Sequence, residues 1–172
     1  MEILFDNIFI TKILLEMRKY IIVLSLIFGL SCHAAAQDYN TGIGFRGGFF
    51  NGVTVKHFIS KKGAIEGLLA SRYKGFEITG LYEVHNPFAK AERLKWYYGA
   101  GGHLGFYNGD NTSWDDDPGS YTSLGIDLIL GIEYSFSEVP INIGLDWKPE
   151  FNLIGYSRFI GDGAALSVRF IF

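Results

Sequence analysis

Apolar and polar residues alternate along the chain in eight segments after residue 40, and turn-forming residues separate these segments. Alternation with a period of two places successive side chains on opposite faces of a β-strand. In the clearest segment, one face from Leu124 to Phe136 is aliphatic or aromatic throughout, and the other carries mostly Gly, Ser, Asp and Glu. The predicted strands cover residues 41–50, 52–59, 64–71, 75–84, 95–107, 121–136, 140–151 and 165–172.

The two faces of these strands differ in a way that indicates a membrane rather than an aqueous surrounding. A lipocalin-like barrel or a sandwich, the soluble alternative, needs an apolar interior and a broadly charged outer face. Here the polar face is rich in Gly and Ser, with single charges of both signs. Repeated segments of about ten alternating residues are typical of transmembrane barrels. The sequence therefore predicts an all-β fold, an eight-stranded antiparallel transmembrane up-and-down β-barrel.

With the apolar face toward lipid, the polar face fills an interior that is just wide enough for side chains in a barrel of eight strands. The predicted interior charges are Arg46, Lys56, Glu66, Glu77, Glu83, Lys95, His103, Asp127, Glu133, Asp146, Lys148, Glu150 and Arg169. Isolated buried charges are costly, so we expect these residues to pair, Asp127 with Arg46 or Lys56 for example. A salt-bridge network that plugs the interior is the preferred interpretation, and a narrow hydrated pore is the alternative.

The last predicted strand, residues 165–172, ends the chain on an apolar face. A barrel that closes on its first strand removes the open edge that such a strand would leave. A terminal strand that ends in Phe also resembles the signal read by the outer-membrane assembly machinery of Gram-negative bacteria, with Phe170 and Phe172 as the signal residues. Arg169 points inward in this strand, and we expect it to pair with Glu150 or Asp146 on the seventh strand, or with a residue on the first strand.

A leader precedes the barrel. Met17-Arg18-Lys19 supplies a basic start, residues 20–30 are mainly apolar, and small residues follow up to Ala36. This pattern predicts a signal peptide over residues 17–36, cleaved after Ala36, with residues 37–172 as the barrel domain. Residues 1–16 read as an upstream extension or a misassigned start. The single cysteine, Cys32, leaves with the leader, which excludes disulfides and thiol chemistry from the mature chain.

The connections follow from the strands. Pro87 interrupts the alternation, because proline does not suit an interior strand, and residues 85–94 are therefore predicted to be a connection that includes a short helix over 88–94. With both termini in the periplasm, the predicted periplasmic turns are residues 60–63, 85–94 and 137–140. The predicted external loops are residues 51–52, 72–75, 108–120 and 152–162. The acidic loop 108–120 is interpreted as a solvated turn region, with cation bridging to lipopolysaccharide phosphates as the alternative.

Composition narrows the function further. Three basic and three acidic residues precede position 37, so the mature chain keeps the net charge of −3 of the whole sequence. Nucleic-acid binding would require a basic stripe instead, so no nucleic-acid partner is expected. The sequence contains neither a Gly-rich phosphate loop nor a His/Cys metal-binding spacing. We therefore expect no cofactor and no metal.

The leader ending in Ala-Ala-Gln, the segment Trp96 to Phe106 and the terminal Val168-Arg169-Phe170 resemble the small porin-like outer-membrane β-barrel proteins, which have an eight-stranded OmpA-, OmpX- or OmpW-like architecture. The resemblance spans residues 37–172. It implies a monomer integral to the outer membrane, with outer-membrane lipid, lipopolysaccharide and the assembly machinery as partners. It does not by itself determine activity.

The resembled group includes plugged structural barrels, adhesion barrels, narrow channels and a few lipid A-modifying enzymes. In the barrel deacylases, a His and a Ser lie two residues apart on one strand, whereas His103 is followed at that spacing by Gly105. We therefore expect no catalytic residues and no enzymatic activity. The predicted function is a structural or surface-interaction barrel, and the alternative is a narrow passive channel for ions or small solutes.

Overall fold

The computed structural model describes residues 39–72, 75–89, 91–108, 120–154 and 159–172. The strands in chain order are β1 (Thr41–Gly48), β2 (Asn51–Phe58), β3 (Gly63–Arg72), β4 (Gly75–Phe88), β5 (Ala91–Asn108), β6 (Ser120–Ser135), β7 (Ile141–Trp147), β8 (Glu150–Ile154), β9 (Phe159–Ile160) and β10 (Ala164–Ile171). None of the described residues belongs to a helix that is long and apolar enough to cross a bilayer. The predictions for residues 1–36, 109–119 and 155–158 fall outside the described residues.

The strands form a closed antiparallel ring. Each of β1 to β6 pairs with the strand that follows it in the chain. β7 then pairs with β10, and β10 pairs with β1. β8 follows β7 and pairs with β6 farther along the same edge, and β9 pairs with β8. The wall therefore consists of eight antiparallel strands. The all-β, eight-stranded antiparallel barrel predicted from the sequence is confirmed.

The two faces of the wall are separated by the pleat, as the alternation predicts. On β6, Ile126, Leu128 and Leu130 point outward, and Leu128 is 46% exposed. Their neighbours Asp127 and Ile129 point inward and are buried. The outer face of the barrel is thus apolar, and the charged side chains lie inside.

Both ends of the described barrel meet at one rim. The amide of Phe172 donates to the carbonyl of Thr41, and the amide of Thr41 donates to the carbonyl of Phe172, each at 2.9 Å. The ladder between β1 and β10 continues from Gly42 opposite Ile171 to Gly48 opposite Ala165. The last strand therefore closes on the first.

The connection predicted over residues 85–94 is wrong. β4 runs to Phe88 and β5 starts at Ala91, so residues 91–94 are strand and not helix. The amide of His85 donates to the carbonyl of Lys62, on the side of β4 that faces β3. The nitrogen of Pro87 faces that same side, but β4 stops pairing with β3 at Val84. Because no neighbouring strand lies there, the missing N–H of the proline removes no ladder hydrogen bond.

Two smaller predictions are also wrong. The turn between β1 and β2 lies at Phe49 and Phe50, not at residues 51–52, because Asn51 already pairs with β3. The predicted strand 140–151 is divided at Lys148 and Pro149. The carbonyl of Pro149 still accepts from the amide of Leu128 at 3.1 Å, so the wall stays continuous across the break.

Two glycines allow neighbouring strands to approach closely. A side chain at Gly44 would run into the carbonyl oxygen of Val168 on β10, and one at Gly101 would run into the carbonyl oxygen of Gly80 on β4. In both cases the obstacle is backbone, which cannot rotate away. The closing contact between β1 and β10 therefore requires glycine at position 44.

Candidate functional site: the polar interior

The structure places twelve of the thirteen predicted interior charges in the barrel interior with at most 4% exposure. The remaining one, Lys95, is half-buried, and its ammonium lies 5.2 Å from the ring centre of Phe58. The buried charges form two groups that are described below as the Lys56 cluster and the Lys148 cluster, together with one separate Arg–Asp pair.

The Lys56 cluster lies in the half of the barrel where Thr41 and Phe172 meet. The ammonium of Lys56 lies 2.7 Å from Glu83, 3.4 Å from Glu66 and 3.5 Å from Glu133. Arg169 donates to Glu66 at 2.5 Å, and the Thr54 hydroxyl donates to the same carboxylate. Three carboxylates thus share two fully buried cations.

His85 belongs to the Lys56 cluster, although its position in a predicted connection concealed this. Its Nε2 lies 3.0 Å from Glu83 and its Nδ1 lies 3.3 Å from Glu133. The ring also stacks on Tyr97 with 4.8 Å between ring centres. The alternation of β4 would have identified His85, because Glu77, Thr79, Leu81, Glu83 and His85 occupy successive inward positions.

Tyr39 closes the cluster at the rim. Its hydroxyl donates to Glu133 at 3.1 Å. Burial raises the pKa of Tyr39 well above its ordinary value, and the adjacent Glu133 carboxylate adds to this effect. The hydroxyl therefore keeps its proton and remains a hydrogen-bond donor to the carboxylate.

Arg46 and Asp146 form a two-pronged ion pair. The Nη1 of Arg46 donates to Asp146 at 2.6 Å, and its Nη2 lies 2.5 Å from the other carboxylate oxygen. Tyr97 donates to the same aspartate at 3.3 Å. Such a fork-to-fork geometry fixes both orientation and distance, so this pair holds β1 at a defined position relative to β7.

The Lys148 cluster lies toward the opposite end of the barrel. The ammonium of Lys148 lies 2.5 Å from Glu150, 3.1 Å from Asp127 and 3.4 Å from Glu77. The Tyr107 hydroxyl donates to Glu77 at 2.6 Å. One ammonium therefore serves three buried carboxylates.

His103 extends the Lys148 cluster. Its Nδ1 lies 3.0 Å from Asp127, and its Nε2 lies 2.8 Å from the Oδ1 of Asn152. A serine hydrolase would place a serine hydroxyl at that second nitrogen, with the aspartate as the orienting acid. The position next to Nε2 is instead taken by a side-chain amide.

Several expected partners are wrong. Arg169 pairs with Glu66, not with Glu150 or Asp146. Asp127 pairs with His103 and Lys148, not with the cations of β1 and β2. The stagger of the strands sets the height of each inward side chain, so Arg169 meets a residue three strands away whereas Asp127 meets His103 on the adjacent strand.

An apolar layer separates the two clusters on the inner wall. It consists of Leu68, Leu81, Tyr97 and Ile129, each at most 3% exposed. On β4, Leu81 lies between Glu77 of one cluster and Glu83 of the other. On β6, Ile129 lies between Asp127 and Glu133 in the same way. We call these four residues the apolar layer.

The two residues that the sequence predicts as an assembly signal lie on the outer wall, beside the rim where Thr41 and Phe172 meet. Phe170 is 38% exposed and Phe172 is 51% exposed. Their ring centres are 6.3 Å apart. Both rings are thus available to a surrounding apolar phase or to another protein.

Comparison with known proteins supports the architecture. No protein-family model matches the chain, and no curated protein matches it. Among solved structures, the chain is similar to the N-terminal β-barrel domain of Pseudomonas aeruginosa OprF, with a TM-score of 0.60 and 16% sequence identity. The match covers 79% of this chain and 100% of that domain. At this identity the likeness shows the fold, which is the small-barrel architecture that the sequence resemblance implied.

Proposed function

We propose that the protein is an integral outer-membrane β-barrel with a structural or surface-interaction role and an interior closed by ion pairs. The observation that carries this proposal is that ion pairs cross the lumen. Lys56 on β2 contacts Glu133 on β6, four strands away around the eight-stranded ring. Arg169 on β10 contacts Glu66 on β3, three strands away.

The outer face supports a lipid environment. It exposes aliphatic and aromatic side chains over the whole wall, up to 74% of the Phe45 side chain. Soluble monomers rarely expose contiguous apolar patches of more than a few hundred Å². A hydrocarbon phase covers such a belt, and the closed ladder leaves the backbone of the wall without an unpaired edge.

The interior supports closure. A hydrated pore needs a continuous polar path from one rim to the other. Here the Lys56 cluster and the Lys148 cluster are separated on β4 and β6 by the apolar layer. Cross-lumen ion pairs on either side of this layer occupy the remaining width.

Orientation and partners complete the proposal. Thr41 and Phe172 meet at one rim, which we assign to the periplasm. We propose that the opposite rim, where β5 ends and β6 begins, faces lipopolysaccharide. Phe170 and Phe172 are the residues that the assembly machinery would read. A closed ring offers no strand edge to a second copy, and we therefore propose a monomer.

A narrow passive channel for ions or small solutes is the second candidate. The polar character of the inner wall favours it, because charged side chains can line a hydrated pore. Conduction would require the cross-lumen ion pairs to separate and the apolar layer to admit water. Conductance in planar bilayers distinguishes the two candidates.

Cell fractionation combined with epitope accessibility tests the location and the orientation. One epitope is inserted within residues 111–117 and a second at Lys61-Lys62. We expect both proteins to fractionate with the outer membrane and only the first epitope to bind antibody on intact cells. A protein recovered in the soluble fraction would contradict the membrane proposal, and accessibility of the second epitope alone would reverse the orientation.

A further inference from the structure

Three residues that are distant in sequence converge in the Lys148 cluster. Glu77 on β4, His103 on β5 and Glu150 on β8 each offer one ligand atom, and these atoms lie within 4.8 Å of one another. All three side chains are buried. We propose that this trio binds a divalent transition-metal ion of the Zn²⁺ type inside the barrel.

The donor set suits such an ion. Imidazole and carboxylate ligands are common for zinc, with bonds of about 2.0–2.2 Å, so two ligand atoms on one tetrahedral ion lie about 3.4 Å apart. The ligand atoms of the trio therefore have to approach one another by up to about 1.4 Å. Side-chain rotation of the two glutamates is sufficient for a movement of this size.

The surrounding residues resemble the outer shell of a metal site. Asp127 lies 3.0 Å from the Nδ1 of His103, so the Nδ1–H of the ring donates to that carboxylate and Nε2 is left as the nitrogen for a metal ion. This aspartate–histidine arrangement recurs around metal ligands. Tyr107 donates to Glu77 at 2.6 Å and orients that carboxylate in the same way.

A further oxygen lies beside His103. The Nε2 of the ring lies 2.8 Å from the Oδ1 of Asn152, and in the imidazolium form its N–H donates to that oxygen. A metal ion replaces the Nε2 proton and gains the amide oxygen as a further ligand.

The charge of the cluster agrees with a divalent ion. Glu77, Asp127 and Glu150 surround the ammonium of Lys148, and Asp127 also pairs with His103. With His103 protonated, three carboxylates face two cations, which leaves one negative charge in the cluster. Uncompensated buried charge is costly. A divalent ion that replaces the Nε2 proton of His103 brings the cluster to neutrality, and Lys148 then moves from Glu150 toward Asp127.

A buried hydroxyl adjoins the same region. Ser123 is 1% exposed, and its hydroxyl has no hydrogen-bond partner among the described residues. It lies on β6 one inward position from Gly125, which pairs with His103.

Metal titration of the complete refolded barrel tests the proposal. Co²⁺ is followed by visible absorption, and Zn²⁺ is then added to displace it. We expect one ion per barrel, and a loss of affinity of about tenfold or more for His103→Gln and for Glu150→Gln. Lys148→Met is expected to bind more tightly, because the ammonium no longer competes for the carboxylates.

Matched controls separate this site from other donors. His57→Gln changes an exposed histidine, and Glu133→Gln changes a carboxylate of the Lys56 cluster. Both are expected to bind the metal as the wild type does. Equal binding by the wild type and His103→Gln, or no binding by the wild type, would overturn the proposal.

A measurement on the unaltered protein covers the case in which a variant does not fold. The ¹⁵N shifts of the His103 ring report which nitrogen is protonated or metal-bound. We expect Zn²⁺ to shift the Nε2 signal of His103 and to leave the signals of His57 unchanged. A ring that keeps protons on both nitrogens in the presence of Zn²⁺ would overturn the site.

Discussion

Arg169 on β10 donates to Glu66 on β3 at 2.5 Å, and both side chains are fully buried. This contact joins two strands separated by β1 and β2, so it ties the closing strand to the far wall of the barrel. It also places Glu66 between the guanidinium and the ammonium of Lys56, 3.4 Å away.

Arg169→Met is therefore expected to be strongly destabilising. Removing one partner of a buried pair leaves the other charge uncompensated, at a cost of about 3–5 kcal/mol. Urea unfolding of the barrel refolded in liposomes measures the loss, with Lys61→Met in an exposed turn as the control. The double variant with Glu66→Gln should recover part of the loss. If the Arg169→Met barrel were as stable as the Lys61→Met control, the Arg169–Glu66 pair would not stabilise the barrel.

Charge on the outer face should be penalised according to depth. Leu128→Arg, near the middle of β6, is expected to cost about 2–4 kcal/mol if the apolar face contacts the bilayer midplane. Thr122→Arg lies on the same face near the end of the strand and should cost about 0–1 kcal/mol. Unfolding from liposomes gives both values. Equal costs would contradict a bilayer around this wall.

Barrel closure should depend on Gly44. Valine at this position would meet the carbonyl of Val168, and β1 could not approach β10. Gly80→Val is the matched control, because a side chain there points into open space. We expect a large loss of the folded, heat-modifiable band on gels for Gly44→Val and little loss for Gly80→Val. Similar yields for both variants would contradict the closing register.

The terminal aromatic residue should matter more for assembly than for stability. Phe172→Ala keeps the two backbone hydrogen bonds with Thr41 and removes only the exposed ring. We expect slower insertion and more degradation in cells, with nearly unchanged stability of the refolded barrel. Phe45→Ala removes another outward ring and serves as the control. Assembly of Phe172→Ala at the rate of the control would argue against a role as an assembly signal.

The regular strands could be predicted because a period of two is local information. From Leu124 to Phe136 the pattern alone indicates which side chains face outward. The extension of β4 to Phe88 could not be predicted, because a proline is excluded only where both sides of a strand are paired, and the pairing of β3 ends at Val84. The alternation continues through His85, but Pro87 indicates an end of the strand close to it.

The contacts inside the barrel could not be predicted from the alternation of apolar and polar residues. Alternation shows that Arg169 and Glu66 both point inward, but not at which height they meet. That height depends on the stagger of all eight strands, which no single segment encodes. The same limit applies to Glu77, His103 and Glu150, whose separation along the chain shows no metal-binding spacing.

Single-channel recording in planar bilayers tests the closed interior most directly. The refolded barrel is inserted at a density confirmed by gel analysis of the same bilayer-forming vesicles. Because ion pairs cross the lumen and the apolar layer interrupts the polar wall on β4 and β6, we expect no current steps above those of the protein-free bilayer. Current steps of one constant size, in proportion to the amount of inserted protein, would contradict the closed interior and favour the passive channel.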